Sequence, residues 1–185
     1  MKTIKTPLAL AAALVLASMG NVVSAEESAP KQKVVTGEQL ATEIRHNVQF
    51  LSGKSLLKAK ALLEAYGDFA PFGAGLMPDG SVKYVWAIKP GESTEGINPV
   101  LVLNAVRTAL KTQADNGRIL GSAVIYRFAP NAEQQANQIN IELEYLSGFA
   151  RVLGTHYELT EDGYQYTEGA FTPYEPRVFV SGEEG

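Results

Sequence analysis

Residues 66–90, YGDFAPFGAGLMPDGSVKYVWAIKP, decide how this chain folds. Pro78-Asp79-Gly80 is a turn signal: proline presets φ for a type I turn, and glycine accepts the left-handed position that follows. A three-residue loop closed by a glycine bulge pairs Met77 with Ser81, Leu76 with Val82, Ala74 with Tyr84 and Phe72 with Trp86. Side chains alternate along strands, so Phe72, Ala74, Leu76, Val82, Tyr84, Trp86 and Ile88 share one face, a core face. Trp86, the only tryptophan, is expected in that core and not as a platform for a ligand. The opposite face carries Gly73, Gly75, Met77, Lys83, Val85, Ala87 and Lys89 and is flatter. Glycine inside a strand marks a bulge, a bend or a close approach of something to the backbone. The functional reading of the same two glycines is the floor of a groove.

Leading into this stretch, Leu40, Ile44, Val48, Leu51, Ser55, Ala59, Leu62 and Tyr66 recur at steps of three and four. They predict a helical face from about residue 38 to 66. Gly53 interrupts that stripe without shifting its phase, which favours a continuous or kinked helix over two helices. Gly67 is a natural C-terminal cap. Downstream, Asn98-Pro99 is a helix start, with an N-cap side chain followed by proline at the first helical position. Asn116-Gly117 ends that helix. Residues 118–128 read as a strand with apolar residues on both sides, covered on both faces for part of its length. Residues 138–146 alternate cleanly: Ile139, Ile141, Leu143 and Tyr145 face one way, and Gln138, Asn140, Glu142 and Glu144 the other. Ser147-Gly148, taken as a two-residue turn, pairs Glu144 with Arg151, Asn140 with Thr155 and Ile139 with His156. After Glu161-Asp162-Gly163 comes a tail punctuated by Pro173 and Pro176 and rich in aromatics: Tyr164, Tyr166, Phe171, Tyr174 and Phe179. That much apolar surface predicts a docked tail, along a sheet edge or across the flat face of Gly73, Gly75 and Ala87, or else on a partner strand.

The resulting order is α-β-β-α-β-β-β plus a C-terminal tail. An α+β fold is expected, with an antiparallel sheet of five or six strands and both helices on one face. The domain plan is a signal peptide at 1–25, a flexible linker at 26–36, one domain at 37–180 and a frayed end at 181–185. The first segment has a basic start at Lys2 and Lys5, an apolar run over residues 8–17, and the small residues Val23 and Ala25 before a cut after Ala25. Export to the periplasm or beyond the cell follows, with no membrane anchor after cleavage. The mature chain would hold 185 − 25 = 160 residues, enough for a real core. It would carry 16 − 2 = 14 Lys and Arg against 20 Asp and Glu, a balance of −6, which argues against nucleic acid as a partner. With no cysteine, thiolate catalysis and cysteine-ligated metal are excluded.

Few residues carry a chemical signature. Ser52-Gly53-Lys54-Ser55 resembles the end of a phosphate-binding loop, but Val48 stands where the motif needs glycine and the context is helical. His46 reads as a solvated helix residue. His156 reads as partly buried on the face of Ile139, and the two histidines give no metal spacing. Glu142, Glu144 and Arg151 form the best polar constellation. Carboxylates two apart on a strand lie about 7 Å apart, suited to paired acid and base work. The competing reading is a solvent face with a Glu144–Arg151 cross-strand pair. No catalytic residue, metal ligand or cofactor is assigned.

The segment Tyr66-Gly67-Asp68-Phe69-Ala70-Pro71-Phe72-Gly73, followed by Asp79-Gly80, resembles a motif of small, functionally unassigned bacterial α+β proteins. There a helix leads through YG-acidic-F-x-PFG into a hairpin closed by Asp-Gly. The chain departs from it at Ala70, where an aromatic is expected. The resemblance implies no activity and carries no catalytic residues. The element order also resembles roadblock and profilin-like architectures, which place the first hairpin beside the last strands; fold does not fix function. The reading is an exported, non-enzymatic interaction domain, with a protein partner or homodimer engaged by the sheet's free face and the tail. The alternative is a small-ligand binder or hydrolase, with a groove over Gly73 and Gly75 or a Glu142/Glu144/Arg151 polar face. The binding candidates are therefore Gly73, Gly75, Glu142, Glu144, Arg151, Tyr174 and Phe179.

Overall fold

Helix α1 (Gly37–Tyr66) is closed at both ends by local chemistry. Thr36 and Gln39 form a reciprocal capping box: the Thr36 Oγ1 accepts from the Gln39 amide at 3.2 Å, and the Gln39 Oε1 accepts from the Thr36 amide at 3.0 Å. Gly67, at φ 73°, takes the left-handed position that stops the helix, and its N–H donates to the Leu63 carbonyl at 2.8 Å. The helix runs unbroken through Gly53. This computed structural model describes residues 36–127 and 137–180. The expected signal peptide, the linker up to residue 35, Phe128 and the expected frayed end lie outside the described residues.

Strands β1 (Phe72–Leu76) and β2 (Val82–Trp86) pair in the register that the turn chemistry predicts, Phe72 opposite Trp86 and Leu76 opposite Val82. The Met77 N–H donates to the Ser81 carbonyl at 2.8 Å, and Asp79 Oδ1 accepts from the Ser81 amide at 2.9 Å. Helix α2 (Pro99–Asp115) starts on the Asn98 side chain, which accepts from the Val100 amide at 2.9 Å. Then come β3 (Gly121–Tyr126), β4 (Gln138–Tyr145), β5 (Phe149–Thr160), β6 (Gly163–Tyr166) and β7 (Ala170–Pro173). All pairings are antiparallel, in the order β2-β1-β3-β4-β5-β6, with β7 on the same edge of β5 as β6. The α+β class and the element order are those expected, and the tail supplies the last strands.

The helices lie on opposite faces, not on one. Leu51, Ala59, Leu62 and Leu63 of α1 pack on Phe72, Ala74, Ala123, Ile125, Ile141 and Leu143. Leu103, Val106 and Leu110 of α2 pack with Ile119, Val124 and Tyr126 on the other side. The glycine face makes this possible. A Cβ on Gly73 would stand 2.9 Å from Val106 Cγ1 and from Leu110 Cδ1, and one on Gly75 would stand 2.8 Å from Ile119 Cγ2. The flat face is where α2 lies against backbone, so β1 and β3 are buried at every position and the sheet has no free face over them. The groove expected over Gly73 and Gly75 is filled by these side chains.

The first hairpin lies beside β3, not beside the last strands, because the long β5 gives its outer edge to β6 and β7. The β4–β5 turn is a three-residue loop, Leu146-Ser147-Gly148, with Gly148 at φ 87°. Leu143 therefore faces Arg151, and Glu144 faces Ala150. A one-residue slip moves every side chain of β5 to the other face. Arg151 goes to the α1 side, away from Glu144. His156, opposite Gln138, is exposed instead of sharing the face of Ile139.

Candidate functional site

Glu142 and Glu144 are each only 2% exposed, which overturns the solvent-face reading. They point from β4 to the α2 side. There the chain beyond β7 crosses the sheet as a strap, and each carboxylate holds part of it. Glu144 accepts three backbone N–H groups, from Arg177 at 2.8 Å, Val178 at 2.9 Å and Phe179 at 2.8 Å. Val178 is fully buried among the side chains of α2 and β3. Glu142 takes a forked ion pair from Arg107 of α2, Nε to Oε2 at 2.9 Å and Nη2 to Oε1, and its Oε2 also accepts from the Tyr174 hydroxyl at 2.8 Å. Burial opposes the charge of Arg107, but its hydrogen bond and attraction to Glu142 outweigh that and raise its pKa. Burial, then the Glu142 charge, push the phenols of Tyr126 and Tyr174 up, and both hydroxyls bond Glu142. A charge removed from water this way is neutralised by close partners. Both carboxylates are engaged in holding α2 and the tail.

A concave surface lies elsewhere. At the C-terminal end of α1, the lead-in to β1 and the loop after β2 enclose a cleft of about 440 Å³. Its aromatic lining is Tyr66, Phe69 and Trp86, and its charged lining is Asp68, Glu92 and Glu95 against Lys89. A smaller lobe of about 240 Å³ shares Asp68, Phe69, Ala70, Ile88 and Thr94 with it and extends to Pro99 and Arg127. The lead-in is pinned by Asp68, whose Oδ1 accepts from the Phe69 amide at 2.6 Å and from Arg127 Nη1 at 2.8 Å. The same Arg127 nitrogen donates to the Gly67 carbonyl at 3.1 Å. The far wall is a loop turned by Gly91 at φ 82° and Gly96 at φ 72°, with the Lys89 amide donating to Glu92 Oε2 at 2.9 Å. Gly91 is also a close approach: a Cβ there would stand 3.3 Å from the Tyr66 ring. Trp86 shares the core face as expected and stacks on Phe72, ring centroids 4.7 Å apart. It stands on an edge strand, however, so it is half-buried and forms part of the cleft wall.

The sequence candidates therefore separate. Gly73 and Gly75 lie under α2. Glu142, Glu144, Tyr174 and Phe179 belong to one assembly, the strap and its anchors. Arg151 sits alone on the α1 side, its Nη1 donating to the Ala150 carbonyl at 2.8 Å. The cleft residues were not among them, although Tyr66, Asp68, Phe69 and Ala70 belong to the motif that resembles the hairpin lead-in of bacterial α+β proteins. The usable signal was that motif together with the two glycines of the 89–97 loop. No family model matches the chain, and no curated protein or solved structure matches it either.

Proposed function

We propose that this protein is an exported, non-enzymatic binding domain that takes its ligand in the cleft between the end of α1 and the loop after β2. The observation that carries this reading is the convergence of Tyr66, Asp68, Phe69 and Trp86 on one concave surface of small-molecule size. With Asp68 already paired to Arg127, Glu92 and Glu95 against Lys89 leave a net negative lining beside three aromatic rings, which favours a positively charged group on an apolar or aromatic body. Such a group is carried by an arylalkylamine or by a basic side chain of a partner protein. The hydrolase reading has lost its support, since Glu142 and Glu144 are committed to Arg107, Tyr174 and the strap. Export rests on the basic start, apolar run and small residues of the first 25 positions.

Trp86 gives the test, because the only tryptophan lines the cleft. Titration with phenethylamine should change its fluorescence saturably, with 2-phenylethanol and phenylacetate weaker. A response independent of the ligand's charge would remove the carboxylates from the argument, and no response to any of the three would remove the cleft.

A further inference from the structure

On the other end of the molecule, the N-terminal half of α1 stands off the sheet. Ile44 is half-buried and Leu40 is 49% exposed, where the next turns of the same stripe are buried. Below them β5 presents Phe149 and β7 presents Phe171, itself 53% exposed. The result is a groove of about 440 Å³ whose walls are almost wholly apolar: Ala41, Ile44 and Val48 above, Phe149 and Phe171 below. Two guanidinium groups flank it, Arg45 from the helix and Arg151 from the strand.

Neither arginine has a carboxylate partner among the described residues. Arg151 bonds only its neighbour's carbonyl and lies 6.0 Å from the Phe149 ring centroid. This contrasts with Arg107 and Arg127, each paired with an acid, in a chain where acids outnumber bases 20 to 16. Arginine's planar fork matches a carboxylate with two parallel hydrogen bonds. An apolar groove with two such side chains in its lining has the chemistry of a site for a single-chain amphiphile with an anionic head.

We infer that the groove between α1 and the β5–β7 edge binds a free fatty carboxylate, its chain against Ile44, Val48, Phe149 and Phe171 and its head on Arg45 and Arg151. The site is separate from the cleft at the other end of α1, so it stands or falls independently.

The purified full chain would be titrated calorimetrically with decanoate, decanol and decyltrimethylammonium, each below its micellar concentration, with methyl resonances of Ile44 and Val48 followed in parallel. Decanoate should bind at one site and shift both methyl groups. Decanol should bind about tenfold more weakly, the size of one lost charge-assisted hydrogen bond. Arg45→Gln combined with Arg151→Gln should bring decanoate down to the level of decanol, while Arg118→Gln, on a different surface, should change nothing. Both substituted arginines are exposed, so folding is not at stake. Equal affinity for the three amphiphiles, an unchanged double variant, or shifts confined to other methyl groups would overturn the proposal. So would sedimentation with phosphatidylglycerol vesicles without saturable decanoate binding, which would make the surface a membrane contact.

Discussion

Glu144→Gln is the most informative single change, because the strap hangs on one carboxylate. Glu144 receives three backbone N–H donors, two of them on Oε2. Hydrogen bonds to a charged group contribute about 1.5–3 kcal/mol each and neutral ones about 0.5–1.5 kcal/mol. Glutamine keeps the shape but only one acceptor oxygen. Two bonds fall from charged to neutral, and the third amide meets an NH2 group. The loss should be about 3–4 kcal/mol, discounted because the three bonds act together. Val178 adds a second cost if the strap lifts, about 1.5–3 kcal/mol for exposing a buried valine. Hydrogen exchange reads this locally: the amides of Arg177, Val178 and Phe179 should exchange about 100-fold faster or more, the equivalent of roughly 3 kcal/mol. Calorimetry should show a fall in Tm of about 6–16 °C, at about 2–4 °C per kcal/mol. Truncation after Gly169 removes β7 together with the strap and should lower Tm at least as far, with no change in association. A Glu144→Gln protein with wild-type exchange at residues 177–179 and a Tm within about 1 °C would refute the strap argument.

Gly73→Ala should cost about 1–3 kcal/mol in urea unfolding, because its Cβ would meet Val106 and Leu110 at 2.9 Å; a neutral result would mean α2 does not rest on the strand. Ser55→Ala should instead raise stability by about 1 kcal/mol, since the Ser55 hydroxyl is fully buried without a partner and alanine is the better helix former. Alkaline titration followed by phenolate absorbance should show phenols that ionise late. Burial raises the pKa of Tyr84, Tyr126, Tyr157, Tyr166 and Tyr174, with Tyr166 pushed up to about 12. A raised phenol holds its proton more tightly when folded, so this stability is complete below pH of about 10 and is lost as pH climbs through the folded values. These five ionising near the ordinary phenol value in the folded protein would contradict their burial.

What could be read from the chain was what short-range chemistry decides. Pro78-Asp79-Gly80 determines the first hairpin and its register by itself. Gly67, Asn98-Pro99 and Asn116-Gly117 bound the helices through backbone requirements that no distant contact overrides. The glycine pair was legible as a close approach, but what approaches is far along the chain: Val106 and Leu110 of α2 over Gly73, and Ile119 just after α2 over Gly75. Placing both helices on one face missed that the flat side needs a cover as much as the aromatic side does. The β4–β5 register turned on one residue: Leu146 belongs to the loop, 54% exposed, and Gly148 takes the same left-handed role that Gly80 takes in the first hairpin. Counting two loop residues instead of three sent Arg151 toward Glu144 and His156 onto the face of Ile139, partly buried. Alternation marked Glu142 and Glu144 as outward, which was right for the strand and wrong for the molecule, because the tail and Arg107 make that side an interior. The cleft is assembled from a helix end, a lead-in and a loop with no period, so only its motif was visible beforehand.

Amide chemical-shift mapping of the full chain with phenethylamine decides whether the cleft beside Trp86 takes the ligand. Saturable shifts should concentrate at residues 66–70 and 86–95 and be abolished by Glu92→Gln combined with Glu95→Gln, with the strap residues 177–179 unmoved. Shifts that cluster on another surface, or that persist in the double variant, would contradict it.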